Sequence, residues 1–137
     1  NFWKEIIKKD IKLIDMNVLS RFQLGKIMSK SSFLKVRREL SELKKKIYGY
    51  FNTIDFLLLP TLSIKPPKIS EVLEKNNYIY YNNLVLSNTR IANLFNLPAI
   101  TIPIKKDYWL SFTILAKEKN DENLLSISQK IENILYY

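Results

Sequence analysis

The sequence contains no cysteine and no histidine, so its reactive side chains are hydroxyls, carboxylates and lysines. A thiolate nucleophile, a Ser-His-Asp triad or a histidine-based metal site cannot be built from these 137 residues alone. Two glycines are too few for a phosphate-cradling loop, and we expect no cofactor. One patch does combine serine with lysine, but it lacks neighbouring glycines and we do not expect it to be catalytic: Ser29, Lys30, Ser31, Ser32 and Lys35.

A separate hydroxyl, that of Thr61, follows Pro60 at the end of the apolar run 56–59. This run is short and uniformly apolar, which predicts an interior strand of a sheet covered on both faces. Loops that leave the ends of central strands commonly carry ligand residues. We therefore predict Thr61 as part of a pocket wall, with a purely local role for its hydroxyl as the alternative.

The stretch 88–104 predicts the end of a helix, a tight break and a buried strand. Ile91 and Leu94 repeat at helical spacing. Asn96 suits a left-handed helix cap, because asparagine tolerates positive φ, and Pro98 cannot continue a helix. The apolar run 99–104 then predicts a strand.

Periodicity predicts the remaining elements, and together they indicate an α/β fold. We expect a single segment that is helical over residues 1–51 and then runs strand, helix, two strands and helix over 52–137. The predicted sheet is mixed, with about three visible strands covered by helices, and its edges would be exposed unless further strands join it. The predicted elements are helices 2–14, 18–28 (capped by Asn17), 33–50 (capped by Ser31 or Ser32) and 78–95, a turn from Ser70 to residue 75, a hairpin of 99–104 with 108–116 around a 105–107 turn, and a last helix capped by Asn120 with Leu124, Ile127, Ile131 and Ile134 buried.

Four short motifs follow one another along the chain, at residues 54–61, 87–90, 93–103 and 120–125. In this order they resemble motifs in the C-terminal part of the amidase-signature enzymes. The family typically reads D-x-L-L-x-P-T, R-N-T, N-x-x-G-x-P-A-x-x-x-P and D-E-x-x-L-L. Asn96 stands where the third motif has glycine, which still fits a positive φ. The resemblance covers residues 18–134.

The resemblance implies hydrolysis of a carboxylic amide by a serine nucleophile, a bridging serine and a lysine base. In the family these three lie upstream of the matched segment, and this sequence starts with Asn1 as if cut from something longer. We therefore expect this chain to be inactive alone and to pack against the remainder of the amidase domain, which binds a small amide. Whether the protein forms a homodimer is left open.

Within this family the segment is expected to contribute substrate-binding residues, namely Asn88, Thr89 and Arg90. An arginine at that place can bind a substrate carboxylate with two hydrogen bonds, and its alternative is a helix-end charge. Members that feed ammonia to tRNA-linked amidation have an acidic residue near the position of Leu86, which holds the amino group of glutamine. This departure argues against a glutamine-specific enzyme. It favours a general amidase, or one for heterocycle- or urea-derived substrates.

The charge of the chain supports a competing hypothesis, a basic helical module that binds nucleic acid or a protein partner. The net charge is +9, and residues 1–50 carry 13 Lys and Arg against 5 Asp and Glu. Interleaved acidic residues favour a solvated helical face instead, so nucleic acid is not the expected partner. The tyrosines at 78, 80 and 81 could stack on nucleic-acid bases. Clustered tyrosines more often lie in the core or at its rim, with the hydroxyl reaching water.

A third hypothesis is a non-catalytic remnant. No run of 18 apolar residues is present, so no membrane span is indicated, and we expect no membrane among the partners. The lack of cysteine is consistent with a reducing compartment, and we expect a cytoplasmic location.

Overall fold

The structure, a computed structural model, describes residues 2–9, 11–104 and 109–136. The chain divides into two compact units, Asn1–Glu39 and Leu40–Tyr137, and helix α3 runs through the boundary. The predicted 105–107 turn lies outside the described residues. The elements are α1 (Phe2–Lys9), a 3-10 turn (Ile11–Leu13), α2 (Met16–Ile27), α3 (Lys30–Tyr50), β1 (Phe56–Pro60), α4 (Ile69–Val72), α5 (Lys75–Val85), α6 (Thr89–Phe95), β2 (Ala99–Pro103), β3 (Ser111–Ala116) and α7 (Asp121–Tyr136).

The three strands form one sheet in the order β1-β3-β2, and both pairings are antiparallel. The α/β class, the three strands and the hairpin of β2 with β3 are confirmed. The prediction of a mixed sheet was wrong, because every described pairing is antiparallel. The interior place of β1 was wrong too: β3 is central, and β1 is an edge of the described sheet with Leu58 exposed by 55%. Apolar side chains on both faces of β1 made it resemble an interior strand.

One face of the sheet packs against α7, and we call it the α7 face. Its core comprises Ile102, Ile114, Ala116 and Leu124, with Phe56, Ile100, Phe112 and Ile131 packed around them. Complete burial of Ile114 contributes roughly 1.5–3 kcal/mol to folding. The predicted stripe of α7 was partly wrong, since Ile134 is 80% exposed and Ser128 is buried instead. Leu124, Ser128 and Ile131 are four and three residues apart, so they share one side of the helix.

The opposite face packs against α6 and the second half of α3, and we call it the α6 face. Its core comprises Phe95, Leu97 and Leu115, and β1 contributes Leu57 and Leu59. From α3, Leu40, Ile47 and Tyr48 pack against this cluster, and Phe51, which directly follows the helix, does so too. The sheet is therefore covered by helices on both faces, as the sequence predicts.

The predicted long helix 78–95 was wrong, because two helices with a turn at residues 86–88 occupy this stretch. The turn closes where the amide of Leu86 donates to the carbonyl of Asn82 at 3.1 Å. The break after α6 is confirmed, because Asn96 adopts φ 55° and ψ 47° and caps the helix in the left-handed conformation. Leu97 then donates its amide to the carbonyl of Ala92 at 3.0 Å.

Local capping differs from the predictions in the first unit. The side chain of Asp15, not Asn17, caps α2, because its Oδ1 accepts from the amides of Asn17 and Val18 at 2.8 and 3.3 Å. The hydroxyl of Ser29, not Ser31 or Ser32, accepts from the first turn of α3, at the Ser32 amide. Each acceptor thus precedes its helix, where the amides lack partners. The first predicted helix is shorter as well, since α1 ends at Lys9.

Two other caps concern the second unit. Ser70 lies inside α4 and does not cap it; Lys68 precedes this helix and its amide donates to Glu71 Oε2 at 2.7 Å. Asn120 immediately precedes α7, and its carbonyl accepts from the Leu124 amide at 3.0 Å. Within the described residues, no helix has the length and apolarity needed to cross a bilayer.

We expect Ser128→Ala to stabilise the protein. The Ser128 side chain is 3% exposed, and its Oγ has no hydrogen-bond partner among the described residues. A buried unsatisfied hydroxyl costs roughly 1–3 kcal/mol, and alanine also has the higher helix propensity. Ser126→Ala on the exposed side of α7 gains only the propensity. In urea unfolding, Ser128→Ala should exceed Ser126→Ala by about 1 kcal/mol or more, and equal effects would contradict the prediction.

The phenol of Tyr48 should make stability depend on alkaline pH. Burial raises the pKa of Tyr48, helped by its hydrogen bond to Glu118 at 2.9 Å and by the charge of that carboxylate. The folded state therefore keeps this proton to higher pH than the unfolded state, whose tyrosine pKa is about 10. Stability from Tyr48 is complete below that pKa and is lost as pH rises through the folded pKa.

Tyr48→Phe removes this proton and should make the fall in unfolding free energy between about pH 9 and 11 less steep. Near pH 7 the variant should be about 1 kcal/mol less stable, because it loses the hydrogen bond. Chemical unfolding across this pH range measures both effects. The other tyrosines are common to both proteins, so parallel pH profiles would show that Tyr48 titrates alike in the folded and unfolded states.

Candidate functional site

The loop that follows β1 is joined by hydrogen bonds to the turn between α5 and α6. Asn88 donates its side-chain Nδ2 to the carbonyl of Pro60 at 2.7 Å. Further along the loop, the hydroxyl oxygens of Ser63 and Ser87 each lie 2.7 Å from the carbonyl oxygen of Leu84 and 3.0 Å from one another. We call residues 60–63 together with 84–90 the loop junction. Three side chains thus hold this irregular backbone against the end of α5.

The loop junction forms here because both of its segments have backbone groups that regular structure leaves unpaired. Pro60 ends β1, and its carbonyl accepts from a side chain. The last carbonyls of a helix likewise lack partners within the helix, and that of Leu84 lies near the end of α5. Short hydroxyl and amide side chains at 63, 87 and 88 satisfy these acceptors.

Two of the predicted site residues, Thr61 and Asn88, are brought together at the loop junction. Thr61 is half-buried; its amide continues the β-ladder to the carbonyl of Ser111 at 3.0 Å, and Asn88 bonds to the preceding residue, Pro60. The other two side chains bond locally. Thr89 donates to the carbonyl of Leu86 at 3.3 Å, and the exposed Arg90 donates Nη2 to Oδ1 of Asn83 at 3.1 Å.

Sequence reasoning missed two hydroxyls that continue from Thr61 across the sheet. Oγ1 of Thr61 lies 2.9 Å from Oγ1 of Thr113, and Oγ1 of Thr113 lies 3.1 Å from that of Thr101. Thr113 and Thr101 are direct cross-strand partners. Strand alternation placed Ser111 and Thr113 on the same side as Leu115, and these neighbouring hydroxyls on a side that also carries a core leucine were the signal that could have identified Thr113.

These groups can bind and orient a molecule but cannot break a bond in it. They supply hydroxyls, amide groups and one guanidinium, with no nucleophile beside a base. Nearby, the ammonium of Lys65 lies 5.8 Å from the ring centroid of Trp109, a cation–π contact. Among the described residues, no group of three or more carboxylates is placed to hold a metal ion.

The first unit contains a separate cleft of about 710 Å³, which none of the predicted site residues lines. Its walls are mostly apolar, and the rings of Trp3 and Phe22 lie 6.1 Å apart there. Lys8 also lines the cleft, and it pairs with Glu5 at 3.4 Å.

The predicted serine and lysine patch forms a local network, since Ser29 Oγ lies 2.9 and 2.8 Å from the hydroxyls of Ser31 and Ser32.

Comparison with known families and proteins gives consistent matches. A model of the family described as Amidase matches residues 9–125. The chain is similar to the A subunit of glutamyl-tRNA(Gln) amidotransferase from Saccharolobus solfataricus, with 32% identity over 95% of this chain and 28% of the relative. It is also similar to 2-amino-5-chloromuconic acid deaminase of Comamonas testosteroni, with 23% identity over 91% of this chain and 28% of that protein.

A solved structure shares the fold. The A subunit of glutamyl-tRNA(Gln) amidotransferase from Thermotoga maritima superposes with a TM-score of 0.60 and 19% identity, over 83% of this chain and 26% of that chain. The chain therefore spans about a quarter of the length of the relatives that it matches. Because the family model extends over most of its residues, the chain belongs to the amidase family.

Proposed function

We propose that this chain is the C-terminal part of an amidase that hydrolyses carboxylic amides. The family match over residues 9–125 is the observation that carries this proposal. In the proposed reaction a serine attacks the amide carbonyl, a lysine takes its proton through a second serine, and the amine or ammonia leaves. Those three residues would lie in sequence preceding Asn1, and water would then release the acyl group.

The loop junction would form part of the substrate pocket wall, through Thr61, Asn88, Thr89 and Arg90. The 2.7 Å bond from Asn88 to Pro60 supports this role, since it fixes the loop that carries Thr61. Arg90 uses Nη2 on Asn83 and is otherwise exposed, so the guanidinium has further donors for a substrate carboxylate. Burial of the sheet on both faces favours this function over a basic helical module.

The substrate class follows from two opposing observations. Relatives named as subunits of glutamyl-tRNA(Gln) amidotransferase favour glutamine as the ammonia donor. Leu86 has no charge to hold the ammonium of glutamine, and it lies at the C-terminal end of α5 beside Asn88. We propose an amide that carries a carboxylate and lacks an amino group as the better substrate, and glutamine as the competing one.

We expect Arg90→Ala to impair binding only of amides that carry a carboxylate. Three substrates are tested on the polypeptide that joins this segment to the rest of its amidase domain: succinamate, the neutral butyramide, and glutamine. Loss of charge-assisted hydrogen bonds costs roughly 1.5–3 kcal/mol, so KM for succinamate should rise roughly 10- to 100-fold. KM for butyramide should stay within about twofold, since no carboxylate is lost. Ammonia release measures all three reactions.

Arg38→Ala is the matched control, because Arg38 is an exposed arginine of α3 that does not belong to the loop junction. An equal change with succinamate and butyramide would reduce Arg90 to a surface charge. Hydrolysis of glutamine far above that of succinamate would overturn the argument from Leu86. No ammonia from any of the three amides would contradict the amidase proposal itself.

A further inference from the structure

The hydroxyls of Thr61, Thr113 and Thr101 form a row that runs from the residue directly after β1, across the central β3, to β2. The two oxygen–oxygen distances are 2.9 and 3.1 Å, both within hydrogen-bonding range for hydroxyls. The central hydroxyl is the most buried of the three, because Thr113 is 9% exposed, whereas Thr61 is half-buried and Thr101 is exposed. We call these three residues the threonine row.

The threonine row occupies one end of the α6 face, where the apolar core stops. Leu59 and Leu115 belong to that core, and Thr113 lies opposite Leu59 in the β1 pairing. A buried hydroxyl needs hydrogen bonds to offset its desolvation, and valine would fill the same volume without that requirement. Packing alone therefore gives no reason for a hydroxyl at position 113.

Each hydroxyl has one proton to donate and two lone pairs to accept with. Thr113 lies between its two neighbours, so it can donate to one and accept from the other. The Thr61 hydroxyl forms one hydrogen bond, to Thr113, and among the described residues it has no second hydrogen-bond partner. The Thr61 hydroxyl can therefore form one more hydrogen bond. Thr61 follows β1 directly and is next to Pro60, whose carbonyl accepts the hydrogen bond from Asn88.

We propose that Thr113 is a positioning residue that orients the Thr61 hydroxyl toward the carboxamide of the substrate. This inference rests on the proposed function, in which Thr61 contacts the substrate. A carboxamide carries both an acceptor and donors, so it can use whichever capacity Thr61 has left. Thr113 touches no substrate and acts only by fixing the rotamer and the proton of Thr61.

The test compares Thr113→Val, which keeps the shape and removes the hydroxyl, with Thr113→Ser, which keeps the hydroxyl. Both are made in the polypeptide that contains the whole amidase domain and are assayed with butyramide and succinamate. We expect Thr113→Val to raise KM for both amides about fivefold with kcat little changed, because the carboxamide is common to them. Thr113→Ser should stay within about twofold of the unchanged protein.

Thr61→Val separates this inference from the proposed function. If Thr61→Val raises KM and Thr113→Val does not, Thr61 contacts substrate without help from Thr113 and the inference is overturned. If Thr61→Val, which removes the hydroxyl, leaves KM unchanged, then Thr61 does not contact the substrate and the pocket wall itself is wrongly assigned. A purely structural role for Thr113 would lower the melting temperature and the yield of active protein in Thr113→Val while leaving KM unchanged, and that result also rejects the inference.

Discussion

Burial of β3 between two helical layers is the constraint on which the rest of this structure depends. Ile114 and Ala116 point into the α7 face and Leu115 into the α6 face, and all three are almost completely inaccessible to solvent. Both other strands pair only with β3 in the described sheet. The register of β1 and β2 is therefore set by one central strand. If either outer strand slipped by one residue against β3, its side chains would move to the opposite face of the sheet.

The loop junction follows from this arrangement. Because α6 packs on one face of the sheet, the turn that precedes it comes close to the end of β1, and Asn88 reaches the carbonyl of Pro60. A continuous helix over α5 and α6 could not present these residues in the same way, because Ser87 and Asn88 would lie within its turns. The break between the helices is thus what places polar side chains beside the edge strand.

The sequence predicted what depends on local patterns and missed what depends on neighbours. Asn96, Pro98 and the apolar strand after them determine a helix end through backbone preferences, so that break was predicted correctly. The break at residues 86–88 has no proline or glycine, and helical periodicity continued across it. The place of β1 in the sheet depends on a partner more than 50 residues away, which no local pattern encodes.

The candidate site shows the same division. The residues around Pro60 and Asn88 could be selected because they resemble family motifs, and the structure brings these two segments together. Thr113 lies outside these motifs and Thr101 falls at an unspecified position of the third one, so their relation to Thr61 appears only once the strands are paired. A hydroxyl row needs three strands in register, so residue types along the chain could not reveal it.

The two ends of the α6 face have different physical roles. At one end Leu57, Leu115 and Phe95 exclude water, and side chains there contribute to stability in proportion to the apolar area that they bury. At the other end the threonines offset desolvation with hydrogen bonds to one another, which adds little net stability. Substitutions at the apolar end should therefore act mainly by lowering the stability of the fold. At the threonine end an isosteric change preserves packing, and it can alter how a hydroxyl is oriented while the fold persists.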